Sequence, residues 1–155
     1  ILLEELGIES REKIVDKLYE AFSNPERYNL YSDVLPALKV LKKKKKKMGI
    51  ISNWEDWLEN RLRDLDITGY FDFIVVSAMV GTEKPDPRIF EIGLEMAGVK
   101  PSETVYVGDN PDTDIHPALE LGMKAVLLDR KGRFTNTLYH KVSDLNEFAG
   151  IFFHQ

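Results

Sequence analysis

The sequence predicts an α/β protein in which a parallel β-sheet carries helices on both faces. Three observations support this. Short, continuous apolar runs at 48–51, 73–76, 104–107 and 125–128 have the length and unbroken hydrophobicity of strands buried on both sides. Segments with helical character at 33–44, 54–65, 87–97 and 113–121 lie before and between those runs. Parallel neighbours need a crossover, and helices of this length supply it. Gly98 and Gly122 stand where helix C-caps are wanted, because glycine takes the left-handed conformation without steric cost.

The elements follow in order. Residues 10–22 read as a helix that Ser10 can cap, with Ile14, Leu18 and Phe22 recurring every fourth position on one face. Asn24-Pro25 ends it. This region stands outside the later alternation and reads as the tail of a separate helical piece. The helix at 33–44 runs into six consecutive lysines, Lys42 to Lys47. Positive charge suits a helix C-terminus, and the run reads as a solvated helix end. Strand 48–51 leads to Ser52 and Asn53, and then to the helix at 54–65. Strand 73–76 leads to a loop from Ser77 to Pro87. Strand 104–107 leads to Gly108-Asp109-Asn110-Pro111-Asp112-Thr113-Asp114.

Composition narrows the function. A chain of 155 residues buries one good core, with at most a small appendage. Its net charge of −5 argues against nucleic acid as a general partner. The absence of cysteine removes disulfides, thiolate metal sites and cysteine nucleophiles, and it fits a reducing cytoplasm. No apolar run is long enough for a membrane span. His116, His140 and His154 have no metal-ligand spacing and read as incidental. The chain begins Ile1-Leu2-Leu3 without an initiator methionine and reads as a fragment or a processed product.

Ligands of an open α/β sheet bind beyond the carboxyl ends of its strands. Taken singly, the residues there have bland readings: Ser52 or Asn53 as a helix cap, Lys84 as a solvated loop lysine, Asp109 and Asp114 as turn and cap chemistry. Together they place a hydroxyl, an amide, an ammonium and two carboxylates at one crevice. Carboxylates with room beside them suit Mg²⁺, which keeps phosphate oxygens in its shell. A hydroxyl and backbone N–H groups can hold a phosphoryl oxygen, and a lysine offsets charge in a transition state. Trp54 reads either as lining for the entrance or as core or helix surface.

These residues resemble motifs of the haloacid dehalogenase-like hydrolases, and of their phosphatase-type branch in particular. Ile50-Ile51-Ser52-Asn53, Lys84-Pro85-Asp86-Pro87-Arg88-Ile89-Phe90, and Gly108-Asp109 with Asp114 match motifs II, III and IV in order and spacing. The resemblance implies a Rossmann-like three-layer parallel sheet. Residues 1–28 would be the C-terminal part of a helical cap, and 29–155 a core domain lacking its first strand. It implies that Ser52 and Asn53 bind the phosphoryl group, that Lys84 steadies nucleophile and phosphate, and that Asp109 ligates Mg²⁺ with Asp114 in support. The implied activity is a phosphomonoesterase acting on a small phosphorylated metabolite through an aspartyl-phosphate. The family's nucleophile is an aspartate following the first strand, upstream of Ile1. Asp64-Leu65-Asp66-Ile67-Thr68 spells the nucleophile signature, but it follows an amphipathic helix end rather than a buried strand, so it is a decoy. The competing expectation is an inactive binding or interaction module that associates through the gap left by a missing strand.

Overall fold

The computed structural model describes residues 10–24, 28–135 and 138–153. Ile1-Leu2-Leu3, Pro25 and His154 lie outside them. The first helix, α1 (Arg11–Ser23), is capped as the sequence predicts: the Ser10 side chain accepts from the Lys13 backbone N–H at 3.3 Å. Its stripe of Ile14, Leu18 and Phe22 is about half exposed.

Next come α2 (Val34–Lys43), β1 (Gly49–Ser52), α3 (Leu58–Asp64), β2 (Phe73–Val76) and the one-turn helix α4 (Ser77–Val80). They are followed by α5 (Pro87–Ala97), β3 (Val105–Gly108), a π-helical turn (Pro111–Ile115), α6 (His116–Glu120), β4 (Lys124–Leu128), β5 (His140–Val142) and α7 (Leu145–Phe153). All four predicted strands are present within a residue or so. Helix α3 is shorter than the predicted 54–65. Residues 54–55 are irregular and 56–57 form a turn instead, because Ser77 holds Trp54: its hydroxyl lies 3.1 Å from the Trp54 N–H, as an acceptor, and 3.2 Å from the Trp54 carbonyl, to which it can donate. The segment 77–87, predicted as loop throughout, begins with α4, which Gly81 ends in the left-handed conformation (φ 72°). The predicted helix 113–121 is a π-turn running into α6. β5 and α7 have no counterpart among the predicted elements.

All strand pairs are parallel, and they form two hydrogen-bonded groups, β2–β1 and β3–β4–β5. Two apolar layers sandwich both groups. Ile50, Ile74, Val105, Val107 and Val126 face a layer built from Ala37, Leu38 and Leu41 of α2 and Phe148 and Ala149 of α7. Ile51, Phe73, Val75, Tyr106, Ala125 and Leu127 face Ile89 and Phe90 of α5 and Ala118 of α6. Alternate residues of each strand thus reach opposite layers, as a pleated strand requires. Burying a side chain the size of Phe90 or Ile89, both 0% exposed, contributes about 1.5–3 kcal/mol. Val75 and Val126 are sealed nearly as fully, so the strands are held from above and below. Their carboxyl ends open together on one edge.

Candidate active site

Ser52 ends β1 on that edge. It is half-buried, and its hydroxyl makes no hydrogen bond to a described residue. Neither Ser52 nor Asn53 caps a helix, since α3 starts only at Leu58. Asn53 instead clamps the loop that carries Lys84. Its Nδ2 donates to the Lys84 carbonyl at 2.8 Å, and its Oδ1 accepts from the Lys84 N–H at 2.7 Å. Both ends of the amide therefore fix the backbone of that lysine.

The Lys84 side chain is not a solvated loop lysine. Its ammonium donates to Asp114 Oδ1 at 2.5 Å and to the Tyr106 hydroxyl at 3.3 Å. The ion pair is largely desolvated, with side-chain exposures of 13% for Lys84 and 4% for Asp114. The other Asp114 oxygen accepts from the Asn110 backbone N–H at 3.1 Å. Asp114 can approach this closely because residue 108 is glycine: a Cβ there would lie 2.4 Å from the Asp114 Cβ and Cγ.

The turn chemistry of this loop falls to Asn110, whose side chain accepts from the N–H groups of Asp112 and Thr113. That leaves Asp109, the residue directly after β3, exposed and without a hydrogen-bond partner among the described residues. The loop winds as a π-turn, with the Ile115 N–H reaching back to the Asn110 carbonyl at 3.3 Å. Single π-turns recur at functional sites because they re-aim side chains.

Tyr106 completes the cluster, and sequence reasoning missed it. Within the apolar run Val105-Tyr106-Val107 it looks like strand filler. Its one distinguishing signal is that a buried tyrosine needs a partner for its hydroxyl. The ring packs edge-on against Phe90, with centroids 5.1 Å apart. The hydroxyl lies 3.2 Å from Asp114 Oδ1 and 3.4 Å from the Ile51 carbonyl. Burial raises its pKa far above the ordinary phenol value, and the neighbouring Asp114 charge raises it further, so it stays protonated as a donor.

An open cleft of about 520 Å³ adjoins Asn53, walled by Trp54, Glu55, Ser77, Thr82 and Glu83. Trp54 belongs to neither apolar layer. It lines this cleft, and its ring packs against Trp57 and Tyr28 at centroid distances of 5.5 and 5.9 Å. The literal Asp-x-Asp-x-Thr stretch lies elsewhere: Asp64 ends α3 and pairs with Arg61 at 3.0 Å.

A family model described as haloacid dehalogenase-like hydrolase matches residues 2–128. The chain belongs to that family. Among curated relatives, it is 38% identical over 120 residues to haloacid dehalogenase-like hydrolase domain-containing protein 3 of Danio rerio, covering 77% of the chain and 50% of the relative. It is 33% identical over 156 residues to the glyceraldehyde 3-phosphate phosphatase of Methanopyrus kandleri, covering 96% of the chain and 64% of the relative. Among solved structures, a HAD phosphatase from Thermococcus onnurineus superposes with a TM-score of 0.78 at 27% identity, covering 96% of this chain and 67% of that one. The chain spans about half the length of the first of these relatives. The α/β fold of the haloacid dehalogenase-like hydrolases, with its parallel strands and flanking helices, is therefore the fold of this chain.

Proposed function

We propose that the protein containing this chain is a Mg²⁺-dependent phosphomonoesterase acting on a small phosphorylated metabolite. The observation that carries the reading is Lys84. Its cation is held by Asp114 and Tyr106 and its backbone by Asn53 at the mouth of the sheet, near a serine hydroxyl with no partner among the described residues. A phosphoryl oxygen would take the Ser52 hydroxyl and the Asn53 backbone N–H. Lys84 would offset charge on the phosphoryl group and on the attacking carboxylate.

In this scheme an aspartate outside the described residues attacks phosphorus as the ester P–O bond breaks, and the leaving alkoxide takes a proton. Water then attacks the aspartyl-phosphate, which frees phosphate and restores the carboxylate. Toward Mg²⁺, Asp109 offers an unengaged carboxylate, while both Asp114 oxygens are taken up by Lys84, Tyr106 and the Asn110 N–H; no group of three or more metal-ligating side chains is gathered among the described residues, so further ligands would have to come from outside them. Asp109 would thus ligate the ion directly, and Asp114 would act from behind it. When bound, Mg²⁺ supplies Lewis-acid stabilisation of phosphate charge. The phosphatase names of relatives support this class over others, and the lack of cysteine supports a cytoplasmic setting. No helix among the described residues is long and apolar enough to cross a membrane.

The test is hydrolysis of p-nitrophenyl phosphate by the longest natural form of the protein, with Mg²⁺ and with EDTA. Turnover should require the metal and should fall at least about hundredfold in Lys84→Ala. Absence of turnover with Mg²⁺ present would overturn the reading. A second reading rests on a specific observation: the Asp-x-Asp-x-Thr stretch at 64–68 is spent elsewhere, with Asp64 ending α3 and paired with Arg61, so it supplies no nucleophile. The chain alone would then be a binding module that holds phosphate without cleaving its esters.

A further inference from the structure

The cleft beside Asn53 has a chemistry of its own. It lies between the segments that follow β1 and β2, and its volume of about 520 Å³ falls within the range of about 300–1,000 Å³ usual for small-molecule sites. Trp54 forms one wall, and Glu55, Thr82 and Glu83 supply a polar rim. The two segments, 53–57 and 77–86, carry Glu55, Asp56, Glu83 and Asp86 against Lys84 alone. Lys84 is already matched by Asp114, and Asp86 is engaged as the cap of α5. Glu55 and Glu83 are exposed, and neither side chain has a hydrogen bond or an ion pair among the described residues.

Trp54 is held in place by its neighbours. Its backbone N–H and carbonyl both meet Ser77 Oγ, and the Ala78 N–H donates to the same carbonyl at 3.3 Å. Its ring meets Trp57 edge-on at 5.5 Å and Tyr28 at 5.9 Å, so the wall is set before any ligand arrives. Asn53, on the same rim, is fixed to the Lys84 backbone by two hydrogen bonds. It is the one residue that belongs to this cleft and to the phosphoryl seat alike. Carboxylates on a surface are ordinary. These two differ in sharing a cleft with a fixed aromatic wall, directly beside the seat for phosphate.

We propose that this cleft receives the alcohol end of the phosphoester, and that Trp54, Glu55 and Glu83 select alcohols bearing a cationic amine. The inference rests on the phosphatase reading of the crevice and names the class of substrate taken there. A phosphoryl group at the crevice has Lys84 to meet its charge. The alcohol end meets no cationic side chain among the residues that line the cleft. A second anionic group on the substrate, such as a carboxylate, would lie against Glu55 and Glu83 and be repelled. An ammonium there is attracted by both carboxylates and by the π-system of the indole. Rejection of the wrong charge is as much a part of this selectivity as attraction of the right one. The carboxylates are exposed, so their effect is that of surface pairs, and the discrimination is about tenfold rather than absolute.

The experiment compares three phosphoesters of equal carbon number: O-phosphoethanolamine, ethyl phosphate and phosphoglycolate. Each is given to the longest natural form of the protein with Mg²⁺, and kcat/KM is read. The cationic ester should exceed the anionic one at least about tenfold, with ethyl phosphate between them, and the difference should lie mainly in KM. In the double variant Glu55→Gln with Glu83→Gln the ratio should fall to within about threefold. Glu120→Gln, the same change at the last residue of α6, should leave the ratio in place. Added salt should narrow it, because exposed charges are screened. Three unranked esters, or a ratio that survives the double substitution, would overturn the inference. If p-nitrophenyl phosphate is still turned over in that case, the phosphatase reading stands without it. If no ester is turned over, that reading fails, and binding decides this one. The dissociation constants of the same three esters must then keep the same order, followed by the Trp54 indole N–H resonance that Trp54→Phe identifies by its loss. A flat or reversed order overturns the inference there as well.

Discussion

Lys84 owes its position to three residues from three different parts of the chain. Asn53 fixes its backbone, Asp114 neutralises its charge, and Tyr106 bridges the two. Gly108 makes this possible, and it offers a direct check. Replacing it with alanine puts a methyl into the space filled by the Asp114 side chain, whose Oδ2 would be only 2.6 Å away. Asp114 is 3% exposed and cannot retreat without leaving its partners. Gly108→Ala should therefore lower unfolding free energy by about 1–3 kcal/mol, read from urea denaturation. An unchanged midpoint would mean that the close approach is dispensable. Four of the five residues expected at the crevice were legible because each follows a strand end, and Asp114 was found with them by its spacing from Asp109. Tyr106 was hidden because its chemistry depends on a hydroxyl within an apolar run, which no spacing rule reveals. The engagement of Asp114 with Lys84 was likewise invisible, since sequence separation says nothing about which carboxylate a lysine chooses.

At the scale of elements, legibility followed local determinism. α5 was read almost to the residue because its ends carry their own signals. Asp86 caps it by accepting from the Arg88 N–H at 2.8 Å, Pro87 opens it, and Gly98 closes it at φ 65°. Asp86→Ala should cost about 1 kcal/mol in the same denaturation experiment, whereas Asp86→Ser should restore most of it. A loss absent from both would show that the cap is redundant with Pro87. The start of α3 was misread because tertiary bonds from Ser77 to Trp54 override the local helical pattern. β5 was missed for a different reason. It has three residues, two of them exposed, and only Val142 is buried. Its existence depends on pairing with β4 rather than on any pattern of its own.

On the scale of the molecule, one carboxylate joins beginning to end. Asp33, at the head of α2, pairs with Arg130 at 3.0 Å and accepts from the Leu145 N–H at 2.7 Å, where α7 starts. Burial alone would raise the Asp33 pKa, but the Arg130 and Leu145 hydrogen bonds outweigh it and lower the pKa. Asp129 is lowered as well: burial opposes the shift, and the Phe134 and Arg133 N–H groups with Lys141 outweigh burial. In both cases the unfolded chain binds the proton more tightly. Their contribution to stability is therefore full above the unfolded carboxylate pKa of about 3.9, and it is lost as pH falls through the lower folded values. Urea midpoints measured from pH 6 downward should stay level to about pH 4 and then drop. Asp33→Asn should be less stable at neutral pH and show a shallower drop; an unchanged slope would remove Asp33 from the account. The same carboxylate has a consequence for the chain as it is made. Its two partners lie 97 and 112 positions later. During translation, α2 emerges long before either partner exists, and its apolar face waits for Phe148 and Ala149 as well. Helix α2 therefore lacks this clasp until Arg130 and Leu145 have been made. That interval is when a nascent chain most depends on chaperones.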